Sequence, residues 1–151
     1  MKFNIDYNDK KEERLLIYIL NEHSFDMEPY NYSTDLHLAL NYLDLMVLDK
    51  KVIQLSGFCG LGISRKSNYN VPEYEEGALK IVNNLEAGVG SYPISKEDFP
   101  VYVNVQTGWV CIGNPEKKGN AVEFINNCVA VIDDNKEFVS LWLKPEKLPD
   151  I

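Results

Sequence analysis

Two histidines and three cysteines are the residues of this chain that could most readily supply acid–base, nucleophilic or metal-binding chemistry. They are His23, His37, Cys59, Cys111 and Cys128. The cysteines contain no C-x-x-C pair and no histidines cluster beside them, so the usual spacing of zinc ligands is missing. We therefore predict reduced, mostly buried thiols that pack as small apolar side chains.

His37 lies among alternating leucines, Leu36, Leu38 and Leu40. This pattern predicts a partly buried histidine in a strand rather than a catalytic base. A pairing of His37 with Cys59 across a hairpin stays open as an alternative, because strands joined by a turn bring distant positions together. Neither histidine has a nucleophile at motif spacing, so we predict no catalytic residue.

Adjacent carboxylates and glycine-containing runs are the other features that could indicate chemistry. Glu75-Glu76, Glu97-Asp98 and Asp133-Asp134 lie in predicted loops or caps, where solvated charge is the ordinary interpretation. The runs at 57–62 and 88–90 lack the glycine–lysine pattern of a P-loop and the GxGxxG pattern of a dinucleotide site, so they predict turns and bulges. We expect no metal and no cofactor.

The size and charge of the chain limit its function classes. Its 151 residues, 45% of them hydrophobic, are enough for one domain with one core, and we predict a single domain over residues 1–151. The formal charge of −8 disfavours partners that are bound through phosphate neutralisation, so we expect neither nucleic acid nor an acidic membrane. Residues 1–50, with ten acidic and five basic side chains, are the most acidic part.

The sequence contains no apolar run near the roughly 20 residues of a membrane-spanning helix. Its first residues become charged where a secretory signal would be apolar. An odd number of cysteines fits a reducing compartment. The expected location is therefore the cytoplasm.

The clearest strands lie toward the C-terminus. Residues 101–105 and 109–112, rich in β-branched and aromatic side chains, flank a short turn with a glycine and predict a hairpin. Residues 121–132 and 138–143 predict a second pair of strands, joined by the polar turn 133–137.

The last of these strands carries apolar residues on both faces. Alternation predicts two sets, one of Phe138, Ser140 and Trp142 and the other of Val139, Leu141 and Leu143. A strand that is apolar on both faces is expected inside a sheet. We therefore expect both tryptophans, Trp109 and Trp142, to be largely buried.

Two segments fit both a helix and a strand. For residues 36–48 we favour one strand with a bulge near Tyr42 and Leu43, followed after a polar turn by a strand at 52–58. Residues 12–22 stay open between an amphipathic helix and a buried strand.

Ser95 begins a short polar segment, SKED, that predicts one helical turn capped by the serine hydroxyl. Hairpins outnumber any βαβ pattern. The predicted fold is mostly β, with α+β possible: a single domain of antiparallel β-hairpins with one or two short helices.

Three stretches of the chain together resemble bacterial immunity proteins, which protect a cell from its own contact-dependent or polymorphic toxin. They are residues 52–60 (VIQLSGFCG), 71–81 (VPEYEEGALKI) and 107–145, which read TGWVCIGNPEKKGNAVEFINNCVAVIDDNKEFVSLWLKP. The resemblance implies a protein without catalytic residues of its own, whose partner is a cognate protein toxin. Many such toxins are basic nucleases.

An acidic inhibitor can use its charge to steer the encounter with a basic nuclease and then cover the cleft that binds the phosphate backbone. We place the partner-binding residues at Glu73, Tyr74, Glu75 and Glu76, the densest acidic group beside an aromatic residue. The proline before this group and the glycine after it indicate an exposed loop.

The alternative function is a small-ligand or protein-binding β domain without catalytic activity. A ligand-binding domain would have a deep apolar pocket, which Tyr102, Trp109 and Cys111 would line, whereas an inhibitor would present a broad acidic and aromatic patch. Several tyrosines in polar surroundings suit such a patch. They are Tyr30, Tyr32, Tyr69, Tyr74 and Tyr92.

Overall fold

The computed structural model describes residues 1–88 and 90–150 and consists mainly of short strands. In chain order the strands are β1 (Phe3–Asp6), β2 (Leu15–Ile19), β3 (Ser24–Glu28), β4 (Leu36–Leu40), β5 (Leu43–Leu48), β6 (Lys51–Phe58), β7 (Arg65–Lys66), β8 (Glu75–Glu76), β9 (Ala78–Ile81), β10 (Ser91–Pro93), β11 (Val101–Val103), β12 (Val110–Gly113), β13 (Asn120–Ile125), β14 (Cys128–Ile132) and β15 (Phe138–Leu143). The helical segments within those residues are two 3-10 helices, Leu20–Glu22 and Leu61–Ile63.

The strands form two sheets. Sheet A has the order β1-β9-β6-β5-β4-β10, and β2 joins it through β3, which pairs with β6. Sheet B has the order β7-β11-β12-β15-β14-β13-β8. Neighbouring strands are antiparallel except for three parallel pairs, β4 with β10, β7 with β11 and β8 with β13. The predicted mostly β, mainly antiparallel fold is confirmed.

One apolar core is shared by the two sheets. Leu38, Leu45 and Leu55 contribute to it from sheet A, and Ala130 and Leu141 contribute from sheet B, all of them fully buried. Burying a leucine side chain stabilises a fold by roughly 1.5 to 3 kcal/mol. Because both sheets depend on the same core, the described residues form one domain.

The outer face of sheet B is covered by residues 67–74, which we call the strap. The strap connects β7 at one edge of sheet B with β8 at the other. The two edges are six strand spacings of about 4.8 Å apart, or roughly 29 Å. The eight residues of the strap can span this distance only when they are nearly extended. Tyr69 and Val71 of the strap pack on a second apolar cluster that contains Trp109 and Trp142. Both tryptophans are buried, as predicted.

Residues 36–48 form a hairpin, so the predicted single strand with a bulge is wrong, although the choice of strand over helix is right. β4 and β5 pair with Leu40 opposite Leu43, which leaves Asn41 and Tyr42 as a two-residue turn. Asn41 has a positive φ of 53°, a conformation that asparagine adopts more readily than most residues. The alternation of buried and outward-facing residues changes phase between Leu40 and Leu43 because the chain reverses direction there. The strand predicted at 52–58 is confirmed as β6.

The strand predicted at 121–132 is also two strands. β13 and β14 form a hairpin whose turn contains Asn126 and Asn127, and Asn127 has a φ of 60°. The turn was missed because apolar residues flank it closely on both sides. The other predicted pairings in this half of the chain are confirmed by the β11–β12 and β14–β15 hairpins.

β15 lies between β12 and β14, inside sheet B as predicted. Trp142 faces the second apolar cluster and Leu141 faces the main core, which agrees with the predicted alternation. Phe138 and Val139 are exchanged relative to the prediction. The reason is an irregularity in the register of β14 and β15 at this point, which shifts the alternation by one residue.

Residues 12–22 contain β2 and a 3-10 helix, so the strand is the correct one of the two open alternatives. The helical turn predicted at Ser95 is wrong. Ser95 Oγ does accept a hydrogen bond from the Glu97 N–H, at 3.4 Å. The side chain of Asn41, however, donates to the Phe99 carbonyl (2.9 Å) and accepts from the Phe99 N–H (2.8 Å), which ties this segment to the β4–β5 turn.

Candidate partner-binding surface

The predicted partner-binding residues lie where the strap reaches the edge of sheet B. Glu73 and Tyr74 end the strap, and Glu75 and Glu76 form β8, which runs parallel to β13. The segment is therefore an edge strand and the residues that lead into it, rather than a loop alone. Gly77 comes next, and a Cβ on it would lie 2.8 Å from a backbone carbonyl oxygen of β1. Glycine allows this close approach of β1.

Three of the four predicted residues share one shallow concavity with Tyr7. Tyr7, Glu73, Tyr74 and Glu75, which we call the strap-end surface, line a space of about 540 Å³ together with residues 119–121. All four side chains are exposed. Within residues 1–88 and 90–150, neither Glu73 nor Glu75 forms an ion pair. The strap-end surface thus combines two free carboxylates with two aromatic rings.

The two tyrosine side chains of the strap-end surface are held by the fold. The Tyr7 hydroxyl donates a hydrogen bond to the carbonyl oxygen of Ala121 at 3.2 Å. The Tyr74 ring packs edge-on against the Trp109 ring, with 6.5 Å between centroids. Burial, followed by the negative charge of Glu75, raises the pKa of Tyr7 above its ordinary value. Tyr7 therefore remains a neutral phenol at pH 7.

Tyr7 was missing from the sequence prediction. It lies just after β1, far from the strap in sequence, and reaches the strap-end surface because β1 pairs with β9, which directly follows β8 and Gly77. The one available signal was its position in the acidic N-terminal third, beside Asp6. Such a signal does not distinguish Tyr7 from other tyrosines in polar segments.

Glu76, the fourth predicted residue, points to a different set of partners. Its carboxylate accepts a hydrogen bond from Lys11 Nζ at 2.8 Å, and the same Nζ lies 3.0 Å from the carboxylate of Glu123. Burial lowers the pKa of Lys11, but the hydrogen bonds and charges of Glu76 and Glu123 outweigh this effect and raise it above its ordinary value. Glu76 therefore belongs to an intramolecular ion-pair cluster, although its own side chain is 68% exposed.

A second acidic and aromatic surface lies on the outer face of sheet A. Asp26 of β3 alternates with buried core residues and so points outward, as does Asp44 of β5, which stands opposite Ser56 of β6. The rings of Tyr30 and Tyr32 pack against each other at a tilt of 54°, with 4.6 Å between centroids. Together with Asp26 they line a depression of about 400 Å³. We call this region the sheet A depression.

The structure also contains an apolar cavity, but not at the predicted residues. The residues predicted to line a pocket, Tyr102, Trp109 and Cys111, belong instead to the second apolar cluster beneath the strap. The strap covers this cluster and fills the space that a ligand would need. The cavity, of about 290 Å³, lies instead between the β4–β5 turn, residues 58–65 and residues 98–101. We call it the rim cavity.

The candidate nucleophile and base are not brought together. His37 is half-buried in β4, as predicted, and stands opposite Met46, which in turn stands opposite Gln54 of β6. Cys59 lies five residues beyond Gln54, about 16 Å further along the strand direction. Cys59 is instead next to His23, whose carbonyl oxygen accepts a hydrogen bond from the Cys59 N–H at 2.8 Å. The alternative of a His37–Cys59 pair is therefore wrong.

All three cysteines are free and buried, as predicted. Burial raises the pKa of Cys59 to about 11 and that of Cys111 to about 12, and burial also raises the pKa of Cys128. We expect the native protein to react very slowly with a thiol reagent such as dithionitrobenzoate at pH 7, because the reactive thiolate is scarce and shielded. The denatured chain should titrate three thiols, and the melting temperature should not change with reductant. A melting temperature that falls on reduction would contradict this expectation.

No protein-family model, curated protein or solved structure matches this chain. Over the part of the chain that the structure describes, no group of three or more His, Cys, Asp or Glu side chains could hold a metal ion. No helix in the same residues is long and apolar enough to cross a membrane.

Proposed function

We propose that this chain is a cytoplasmic immunity protein that binds a cognate bacterial toxin and covers the active site of the toxin. The proposed toxin is a basic nuclease domain. The observation that carries the proposal is the strap-end surface, where the carboxylates of Glu73 and Glu75 lie beside the rings of Tyr7 and Tyr74 on one concavity. The proposed role of the chain is binding, without catalysis and without a cofactor.

The composition of the strap-end surface suits a basic protein partner. Tyrosine is enriched among the residues that dominate binding energy at protein interfaces, because its large ring is rigid and its hydroxyl can donate a hydrogen bond. Unpaired carboxylates around such rings attract lysine and arginine side chains and repel acidic competitors. Glu73 and Glu75 would in this way occupy the sites where a nuclease binds phosphates.

The strap-end surface is also preorganised, which reduces the entropy lost on binding. The strap is anchored near its start by the Ser67 N–H, which donates to the Val103 carbonyl oxygen at 2.8 Å. Near its end, the Gly77 N–H donates to the Glu123 carbonyl oxygen at 3.2 Å. Between these anchors, the Asn104 side chain donates to the Tyr69 carbonyl oxygen at 3.0 Å.

The test measures association with the protein encoded beside the gene of this chain, by surface binding kinetics at low and high salt. The variant Glu73→Lys/Glu75→Lys should slow association about tenfold at low salt and flatten its salt dependence, because long-range steering acts mainly on the association rate. Glu76 is left unchanged, because its reversal would disturb the ion pair with Lys11.

The matched control is Glu86→Lys/Glu97→Lys, which makes the same charge change at exposed residues on either side of β10. β10 and β1 lie at opposite edges of sheet A, so this control leaves the strap-end surface untouched. The control should keep an association rate within about twofold of the parent. Equal slowing by both variants would mean that net charge, rather than this surface, governs binding.

Two other outcomes would contradict the proposal. If Asp26→Lys/Asp44→Lys slows association and the strap-end variant does not, the partner binds the sheet A depression. If the parent does not bind the neighbouring gene product at all, the immunity function is wrong for that pair.

A further inference from the structure

The rim cavity has the properties of a binding site for a small molecule, independently of the proposed toxin inhibition. Three large apolar side chains at this cavity remain exposed: Tyr42 is 69% exposed, Phe58 47% and Ile63 89%. Each forfeits the stabilisation that burial would give. Clusters of exposed apolar residues around a concavity are typical of ligand-binding sites.

The cavity reaches into the apolar core of the protein. Leu43, Cys59 and Ile112 line it, and all three belong to the main core between the two sheets. Because burial raises the pKa of Cys59 to about 11, its thiol is uncharged at pH 7. The deep part of the cavity therefore offers an apolar, neutral surface to a ligand.

The walls of the rim cavity are fixed before any ligand binds. On one side, the two hydrogen bonds between Asn41 and Phe99 join the β4–β5 turn to residues 98–101. On the other side, the Tyr18 hydroxyl donates to the Cys59 carbonyl oxygen at 2.6 Å and accepts from the Leu61 N–H at 3.4 Å. A cavity held in this way does not need to be ordered by its ligand.

Charged groups of the cavity lining are few. Arg65 lines the cavity, but its guanidinium lies over the Tyr102 ring, 5.7 Å from the centroid, and Nη1 is 3.4 Å from the Tyr102 hydroxyl. Asp98 is exposed at the opposite wall. With apolar residues deep in the cavity and charges near its opening, an uncharged ring system fits better than an ion.

We propose that the rim cavity binds an uncharged planar molecule of one or two fused aromatic rings. The aromatic rings of Tyr42, Phe58 and Phe99 supply faces and edges for aromatic contacts. The volume of about 290 Å³ sets the size limit, because an apolar cavity of about 150 Å³ accommodates benzene. Two fused rings therefore fill the rim cavity, whereas a larger ring system would extend into solvent.

The test titrates indole into the full-length protein and follows backbone amide resonances by NMR. We expect saturable binding with a dissociation constant of about 1 mM or below, a range that a ligand of this size reaches at ordinary efficiency per atom. Shifts should be confined to the residues that line the cavity and their neighbours, at 41–43, 58–65, 98–101 and 112. Sorbitol at the same concentrations should produce no saturable shifts.

The chain offers a pair of glycines for a matched comparison. A Cβ on Gly60 would lie 3.4 Å from the Phe58 ring and 3.6 Å from Ile63, so Gly60→Leu should narrow the cavity and weaken indole binding at least about tenfold. A Cβ on Gly62 would meet no heavy atom of residues 1–88 and 90–150 within 4 Å. Gly62→Leu should therefore keep the affinity within about twofold of the parent.

Gly60 has a φ of −74°, which leucine also adopts, so the variant is expected to fold. If its amide spectrum nevertheless collapses, Ile63→Ser provides the second test. Ile63 is so exposed that its replacement should leave the fold unchanged, while the lost contact should weaken indole binding about threefold. The proposal would be overturned if the parent showed no saturable binding, if the shifts were centred elsewhere, or if the folded cavity variants, Gly60→Leu or Ile63→Ser, bound indole as tightly as the parent does.

Discussion

Replacing Trp142 with alanine is expected to lower the free energy of unfolding by about 3 to 5 kcal/mol, the range for truncating a large aromatic residue in a core. Trp142 is 2% exposed and packs under the strap in the second apolar cluster. Its indole N–H donates a hydrogen bond to Ser140 Oγ at 3.0 Å, so the variant also loses a buried hydrogen bond. Urea unfolding followed by far-UV circular dichroism measures the change.

The matched control for Trp142 is Tyr32→Ala, since the Tyr32 side chain is 89% exposed. Its replacement should change the free energy of unfolding by no more than about 0.5 kcal/mol. A Trp142→Ala variant that is as stable as the Tyr32 control would mean that the strap and the outer face of sheet B contribute little to the stability of the fold.

The strands that could be predicted are those with dense local signals. β11, β12, β14 and β15 are short runs of β-branched and aromatic residues, and glycine or Asp-Asn turns separate their hairpins. Burial of both tryptophans follows from the same runs. Such features depend on residues that are close in sequence, so one sequence is enough to predict them.

Turns that contain asparagine are the main features of the fold that the sequence does not predict. Asn41 and Asn127 both have positive φ and reverse the chain within two residues. Neither turn contains a glycine or proline, so the sequence of each hairpin predicts a single longer strand. The bulge at Val139 likewise has no local signal, because the residues around it are all compatible with a regular strand.

The candidate site was only partly predictable, because its members come together through long-range pairing. Glu73, Tyr74 and Glu75 are adjacent in sequence and were predicted as a group, whereas Tyr7 joins them only through the β1–β9 pairing. The path of the strap across sheet B follows from two parallel pairings at opposite edges, β7 with β11 and β8 with β13, which no local pattern specifies. The rim cavity is likewise assembled from four separate parts of the chain, residues 41–43, 58–65, 98–101 and Ile112.

The ion-pair cluster of Lys11, Glu76 and Glu123 shows how the N-terminal segment is fixed to sheet B. The side chains of Lys11 and Glu123 are 14% and 10% exposed, whereas that of Glu76 is 68% exposed. Glu123 also accepts a hydrogen bond from the Asn127 N–H at 3.0 Å, which connects the cluster to the β13–β14 turn. The two carboxylates that bind one lysine should therefore differ widely in their effects on stability.

Glu123→Gln is expected to lower the free energy of unfolding by about 3 kcal/mol at pH 7, because removing one partner of a buried ion pair leaves the other charge poorly compensated. The loss falls at the low end of the usual range since Glu76 remains beside Lys11. Despite burial, the hydrogen bonds and charges of its two carboxylate partners raise the pKa of Lys11 in the folded state, so the contribution of the lysine charge is fully present below the ordinary lysine pKa of 10.5. It is lost only as the pH rises through the higher folded pKa. Neutral pH therefore measures the whole effect.

Glu76→Gln provides the matched comparison, with an expected loss of no more than about 1 kcal/mol, because an exposed ion pair contributes little. The double variant Lys11→Met/Glu123→Gln should be less destabilised than the sum of its two single variants, since it removes both charges together. Urea unfolding at pH 7 measures the parent, the three single variants Lys11→Met, Glu76→Gln and Glu123→Gln, and the double variant. Equal losses for Glu76→Gln and Glu123→Gln, or strict additivity in the double variant, would mean that burial does not strengthen the Lys11–Glu123 pair. The N-terminal segment would then be held mainly by its backbone hydrogen bonds to sheet B, such as that from the Glu12 N–H to the Phe124 carbonyl oxygen at 2.9 Å.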